Sequence, residues 1–230
     1  MNGFDISNSL SEKLIGITFD NKLSFKNHVT SLCTTASQKL HALSRVSNYM
    51  DLVQRKVIIY AYILSQFGYC PLVWMLHSRQ LNNRINKIHE RALRIVYRNS
   101  TLAFQALLEK DKSFTIHERN IQTLAIQLYK VAYGISPKIM RLIFPTKPNI
   151  NYPWGNIFQT FNVRSVSWGT ESLSHLGPKI WNIVPLELKK IQHFRKFKRA
   201  IRLWKPEKCP CRMCKTYIRG VGFVNVTRER

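Results

Sequence analysis

The chain has 230 residues, 45% of them hydrophobic and 21% charged, the balance of a folded globular protein, and this excludes disorder throughout. Its 36 Lys and Arg against 12 Asp and Glu leave a formal net charge of +24 and an isoelectric point near 10.3, more than solubility requires, and point to a polyanionic partner. Five cysteines, odd in number and with three crowded at 209, 211 and 214, argue against a disulfide framework and for reduced thiols inside a cell, in nucleus or cytoplasm.

The first predicted element lies in Leu14–His28. There an apolar run bounded by Gly16 and an Asp20-Asn21 turn reads as a buried strand, bending into a second short strand at Leu23–Phe25 and then into a helix. Met1–Leu10 has neither a basic start nor an apolar run, so no secretory leader is expected. Val29, Leu32, Cys33, Ala36, Leu40, Leu43 and Val46 recur at three- and four-residue steps and predict a helix over 27–47 with one apolar stripe. Asp51 followed by Gln54 is a capping-box start for a second helix over 52–67.

Val57–Leu76 carries no formal charge and has the length of a bilayer span. Ser65, Gln66, Gly68 and Pro71 break it, leaving a continuous apolar block only at Val57–Leu64. A buried helix followed by an extended segment is therefore expected, and no membrane span.

A third helix is predicted from Ser78 to Tyr97, and a shorter one around Phe104, Leu107 and Leu108. Thr115 with Glu118 is another capping box, opening a helix whose apolar face is Ile121, Leu124, Ala125, Leu128 and Val131 and whose stop is Gly134. Ser136-Pro137 starts a short helix. Pro145 to Val163 holds three prolines and Gly155 among asparagines without a sustained period, and reads as a linker or long loop. Pro178–Val184 and Phe194–Lys205 read as short helices separated by Pro185, while Ser167-Trp168-Gly169 and Leu176-Gly177-Pro178-Lys179 read as turns that position Trp168 and Trp181 for packing. The last 25 residues are too poor in apolar side chains to fold alone. The expected fold is mainly α: a small β element at 1–26, a helical bundle at 27–144, a linker at 145–170, short C-terminal helices at 171–205 and an irregular, basic, Cys-containing tail at 206–230.

On the third helix Arg84, Lys87, Arg91, Arg94 and Arg98 step by three and four and fall within a sector of about 80°. Leu81, Ile85, Ile88, Ala92 and Ile95 form an apolar stripe centred about 110° away. One face can pack while a cationic ridge about 21 Å long looks outward, with only Glu90 as a helix-local acid. That length matches about six phosphate steps of one strand. A second basic block, Lys189–Lys205, contains no acid and includes Arg195, Lys198, Arg199 and Arg202. Phe194, Phe197, Ile201 and Trp204 give it an apolar seam, so nucleic acid, an acidic partner or an anionic membrane surface could each be its target.

Cys209, Cys211 and Cys214 place three thiols within six residues, and the second pair has a spacing common in structural zinc sites. A closed site needs a fourth ligand, for which His193 is the nearest upstream histidine; the alternative is a set of plain reduced cysteines in a basic tail. Cys33 and Cys70 read as core residues. Two-metal phosphoryl chemistry needs converging carboxylates, and no adjacent Asp pair is present, nor a metalloprotease, nucleophile-elbow, phosphate-loop or dinucleotide motif. No catalytic residue is assigned.

L-I-G-I-T-F-D-N-K-L-S-F-K-N-H (14–28), S-Q-K-L-H-A-L-S-R-V-S-N-Y-M (37–50), S-Q-F-G-Y-C-P-L-V-W (65–74), N-N-R-I-N-K-I-H-E-R-A-L-R-I-V-Y (82–97), G-T-E-S-L-S-H-L-G-P-K-I-W-N (169–182) and C-P-C-R-M-C-K-T-Y-I (209–218) together resemble, in order, the end of a non-LTR retrotransposon reverse transcriptase of the jockey and chicken-repeat kind. The resemblance implies that residues 1–26 are a palm remnant and that the bundle is the thumb, whose third helix holds the template–primer duplex or hybrid without regard to sequence. It also implies RNA-directed DNA synthesis with magnesium in the intact polymerase, primed at a nicked target. The catalytic carboxylates of such enzymes lie upstream of the segment matched here, so this chain is expected to be inactive alone and to pair with a missing palm and fingers. Two departures are local. Asn151-Tyr152-Pro153-Trp154-Gly155 lacks the basic residue expected in that connector, and the Cys-Cys-His-Cys order of the knuckle that ends some of these elements is absent. The competing class is a basic interaction protein that docks an acidic partner or membrane through residues 189–205.

Overall fold

The structure is a computed structural model that describes residues 9–148, 150, 152–163, 169, 172–206 and 209–211. Within these residues the protein is mainly helical, with a small two-stranded antiparallel sheet near the N-terminus. The hairpin owes its turn to Gly16, whose φ of +78° follows Ile15 at +48°, a pair of left-handed residues that suits a two-residue hairpin. It joins β1 (Ser11–Leu14) to β2 (Ile17–Asp20), with Ser11 opposite Asp20 and Leu14 opposite Ile17.

This corrects two expectations. Leu23–Phe25 is not a strand, because Leu23 and Phe25 both take positive φ. The Asp20 carboxylate, accepting from the amides of Lys22, Ser24 and Phe25, enforces that compact turn, and these bonds hold its pKa below the usual carboxylate value against the opposing effect of desolvation. Nor is the hairpin buried: β1 is exposed along its length and only Ile17 of β2 is buried.

The chain folds as two compact units, one formed by residues up to Tyr69 with His77–Asn99, the other by Cys70–Leu76 with residues from Ser100 on. The bundle expected over 27–144 is thus divided between them. Amphipathic stripes show which face of a helix is buried but not which neighbour covers it, and the stripe periods cannot reveal such a division.

In the first unit α1 (Lys26–Val46) packs on α4 (Arg79–Tyr97) and on β2. Between them α2 (Leu52–Ile58) opens on the expected capping box: Asp51 accepts from the Gln54 amide at 2.8 Å while Gln54 accepts from the Asp51 amide at 3.0 Å. The helical path continues through a π turn at Ile59–Ile63 and a 3₁₀ stretch at Leu64–Gly68. Its buried residues are Arg55, Ile59, Ile63, Leu64 and Phe67; the first three are four apart, a spacing that drifts about 40° per step on an α-helix, and the wider π turn offsets that drift. The path ends before Cys70, which is left-handed and exposed rather than a core cysteine. Among the described residues no helix is long and apolar enough to cross a membrane.

The second unit is organised on α6 (Ile116–Ala132), which starts at the Thr115–Glu118 capping box and ends at Gly134, with the Ile135 amide bonded back to the Lys130 carbonyl. Packed against it are α3 (Pro71–Trp74), α8 (Leu173–Ile183) and α10 (Phe194–Ile201). Smaller helices are α5 (Phe104–Asp111), α7 (Met140–Ile143, starting three residues beyond Pro137) and α9 (Leu186–Lys189). Tyr129 of α6 stacks between Tyr133 and Phe197, at centroid distances of 4.2 and 4.1 Å. Its hydroxyl donates to the carbonyls of Ile191 and Gln192, and that of Tyr133 to Lys189, so two tyrosines one helical turn apart clamp the connection from α9 to α10.

Three further expectations are revised here. Of the two readings for the stretch beginning at Pro145, its described residues form the long loop and not a linker: they return to the core, with Thr146 bridged to Phe158, Ile157 and Phe158 buried, and the Trp181 indole donating to the Gly155 carbonyl at 3.0 Å. Leu176-Gly177-Pro178-Lys179 is not a turn but the middle of α8, which starts at the Ser172 cap, while Ser167 and Trp168 lie outside the described residues. Gly177 is there for space, since a Cβ would stand 2.5 Å from Phe144 Cε1. Finally, α10 ends at Ile201, a turn short of Lys205.

Caps and close packing make separate demands on stability. Asp51→Ala and Thr115→Ala should each lower it by about 1 kcal/mol through loss of a cap, read as shifts in urea midpoint. Gly177→Ala should cost about 1–3 kcal/mol by overpacking against Phe144 and Leu128; a thermal midpoint equal to that of the parent would show that the site has room.

Candidate functional site

On α4 the apolar stripe is buried at Leu81, Ile85, Ile88 and Ala92, and burial extends to Leu93 and Val96 and to the polar Asn82, Asn86, His89 and Glu90; Ile95 is half-buried. The five cations of the ridge differ in what they do. Arg84, Lys87 and Arg91 are exposed on successive turns, with Arg84 also donating to Thr34 Oγ1 at 3.1 Å. Arg94 is half-buried and paired with Glu90 at 2.8 Å. Arg98, left-handed at the C-cap, points its guanidinium at the carbonyls of Ser47, Asn48 and Met50, at 3.2, 2.8 and 3.4 Å. The ridge therefore presents three exposed cations on successive turns, while Arg94 is engaged by Glu90 and Arg98 by backbone carbonyls. Glu90, the one acid of this helix, is itself buried and engaged by Arg94.

Near this face Cys33 lies fully buried, as expected of a core cysteine, and burial pushes its thiol up to about 11 against the opposing pull of Arg84. A thiol so disfavoured as thiolate is no nucleophile.

In the second unit Phe197 and Ile201 are fully buried, with Phe194 and Trp204 partly so, which seats the expected seam of α10 on the core. Arg195, Lys196, Lys198 and Arg199 are exposed on the other side, and so is Arg202 just beyond the helix. The Arg202 guanidinium is lowered from its ordinary pKa, by desolvation first and by the Arg119 cation second, so two like charges stand together there. Lys189 does not join this face. It is buried with its ammonium 5.4 Å from the Trp181 ring centre, and desolvation depresses its pKa.

Cys209 and Cys211 do not lie in an open tail. Cys209 and Cys211 are buried in the core of the second unit, where His117 Nε2 lies 3.0 Å from Cys211 Sγ and the two sulfurs are 3.3 Å apart. His193, the histidine expected beside the thiols, is exposed at the start of α10, and His117, in the first turn of α6, lies beside Cys209 and Cys211. Cys214 lies outside the described residues. His117 precedes Cys211 by 94 residues and carries no local signal of this role, so only the tertiary fold could find it.

Comparison with protein-family models, with curated protein sequences and with solved structures gives no match to this chain.

The division of labour along the ridge is testable. Arg98→Gln should cost about 1 kcal/mol of stability in urea unfolding, because it leaves the Asn48 carbonyl without its charged donor, whereas Arg91→Gln should change it by less than about 0.5 kcal/mol.

Proposed function

We propose that this chain is the thumb and downstream segment of a non-LTR retrotransposon reverse transcriptase and binds template–primer duplex or hybrid, independently of sequence, while lacking the means to polymerise by itself. The observation that carries the binding is the row Arg84, Lys87 and Arg91, outward on successive turns of α4, while the one acid of that helix is buried against Arg94. A row of that kind on a rigid helix meets phosphates at low conformational cost, and a net charge of +24 draws any polyanion toward it. The exposed cations of α10 supply a second surface of the same chemistry, with Arg195, Lys198, Arg199 and Arg202 as its phosphate contacts. The reverse-transcriptase origin rests on the ordered resemblance of residues 14–218. Under it, magnesium would belong to the catalytic segment upstream, and the exposed hairpin would meet the palm.

The salt dependence of binding tests this. Affinity for an RNA–DNA hybrid of arbitrary sequence should fall steeply with salt. Replacing Arg84, Lys87 and Arg91 together by Gln should make the log–log slope shallower by up to roughly three units, at about 0.9 per phosphate, with little change in thermal midpoint. An unchanged slope would remove α4 from the interface. Stronger flotation with anionic vesicles than binding to hybrid at matched salt would favour the docking of α10 on membranes instead.

A further inference from the structure

We infer that His117, Cys209 and Cys211 form a zinc site that fastens the C-terminal segment to the first turn of α6. Their donor atoms, one imidazole nitrogen and two sulfurs, all lie within 4.8 Å of one another, and all three residues are buried. A four-coordinate zinc ion with its usual bond lengths sets ligand–ligand edges of about 3.8 Å between sulfurs and about 3.6 Å between sulfur and nitrogen. The observed edges of 3.3 and 3.0 Å fall short of these by about half an ångström, a difference that side-chain rotation can supply without moving the backbone. The donor set is the one zinc selects, thiolate and imidazole, and no carboxylate that would favour a harder cation belongs to it.

Charge favours the same occupant. Two thiolates, a neutral imidazole and a water in the fourth position around a divalent ion sum to zero, so the ion can be buried without a Born penalty for net charge and without adding to the cationic excess of the chain. Binding displaces the protons of the two thiols, which leave to solvent, and neither sulfur is oxidised.

The site's surroundings are built to receive it. Gln122, buried on the same helix, donates to the carbonyls of Arg202 and Trp204 and so brings the segment leaving α10 back to α6 just ahead of the thiols. Joining residues 117 and 211 closes a loop of 94 residues, long enough for the clip to restrict the unfolded chain strongly.

The test uses the full chain, stripped of metal under reductant and titrated with cobalt(II) and then zinc. One equivalent of cobalt should bind with thiolate-to-cobalt charge transfer and the visible absorption of a four-coordinate ion. Zinc should displace it and raise the thermal midpoint. His117→Phe and Cys211→Ser should weaken binding by more than the roughly 10–100-fold that loss of an outer-shell partner costs. His117→Cys should retain it, and His193→Ala and Cys70→Ser should leave it unchanged. Absence of thiolate-to-cobalt charge transfer in the parent chain at one equivalent would overturn the proposal, and this reading needs no variant to fold. Binding that survives His117→Phe but is lost in His193→Ala would overturn it as well.

Discussion

The constraint on which the structure depends is a shortage of carboxylates. With three basic side chains for every acidic one, the protein pairs Arg94 with Glu90 but meets others of its buried and half-buried cations with backbone carbonyls and aromatic rings. Arg55 is the plainest case. Buried between helices, it donates through Nε to the Val96 carbonyl at 2.9 Å and through Nη1 to Met50 and Ser47. Arg98 reaches the same short turn from the far end of α4. Helix C-termini carry orphan carbonyls and partial negative charge, so two guanidiniums at the junction of α1, α2 and α4 satisfy both sides at once. Elsewhere Lys39 sits 4.0 Å from the Tyr62 ring centre and Lys130 5.2 Å from that of Phe194.

The functional reading grows out of the same shortage. The cations used to close helix ends and pack over rings are taken up within the fold, and among the exposed ones those on one face of α4 and one face of α10 are grouped by the helical repeat. Stability and binding are thus assigned to different members of one residue type. The side chain's immediate surroundings decide which, and its position in the heptad-like spacing does not.

How much of this was legible in the sequence depended on distance along the chain. The capping boxes at Asp51 and Thr115 were, because cap and partner are three residues apart. The stripes of α1, α4 and α6 were, because burial follows the helical period, except at the end of α1, where Val46 is exposed. The left-handed turn at Leu23–Phe25 was not, since strand-like composition there is overruled by one carboxylate gathering three amides. Nor was α8, where Gly-Pro carries the signature of a turn but Gly177 serves close packing against Phe144 and Pro178 is carried within a helix that Ser172 caps. At the candidate site the ridge was visible as a pattern, yet the role of Arg98 depends on carbonyls about fifty residues upstream and the meeting of His117 with the thiols on a still longer separation. The odd cysteine count and tight spacing marked the segment, and only folding could supply the imidazole.

The π turn at Ile59–Ile63 gives the second helical path an unusual tolerance. Arg55, Ile59 and Ile63 are buried at steps of four, which the slow turn reconciles with one face that the buried Leu64 and Phe67 continue. Were one exposed residue such as Ala61 to be lost, the steps from Arg55 through Ile59, Ile63 and Leu64 to Phe67 would become four, three, one and three, and an ordinary α-helix would carry these side chains within a sector of about 100°. The segment therefore holds one residue of slack: its inward face is compatible with two chain lengths, so a single-residue deletion there would act as a repair of helical register where in α1 or α6 it would turn the core face toward solvent.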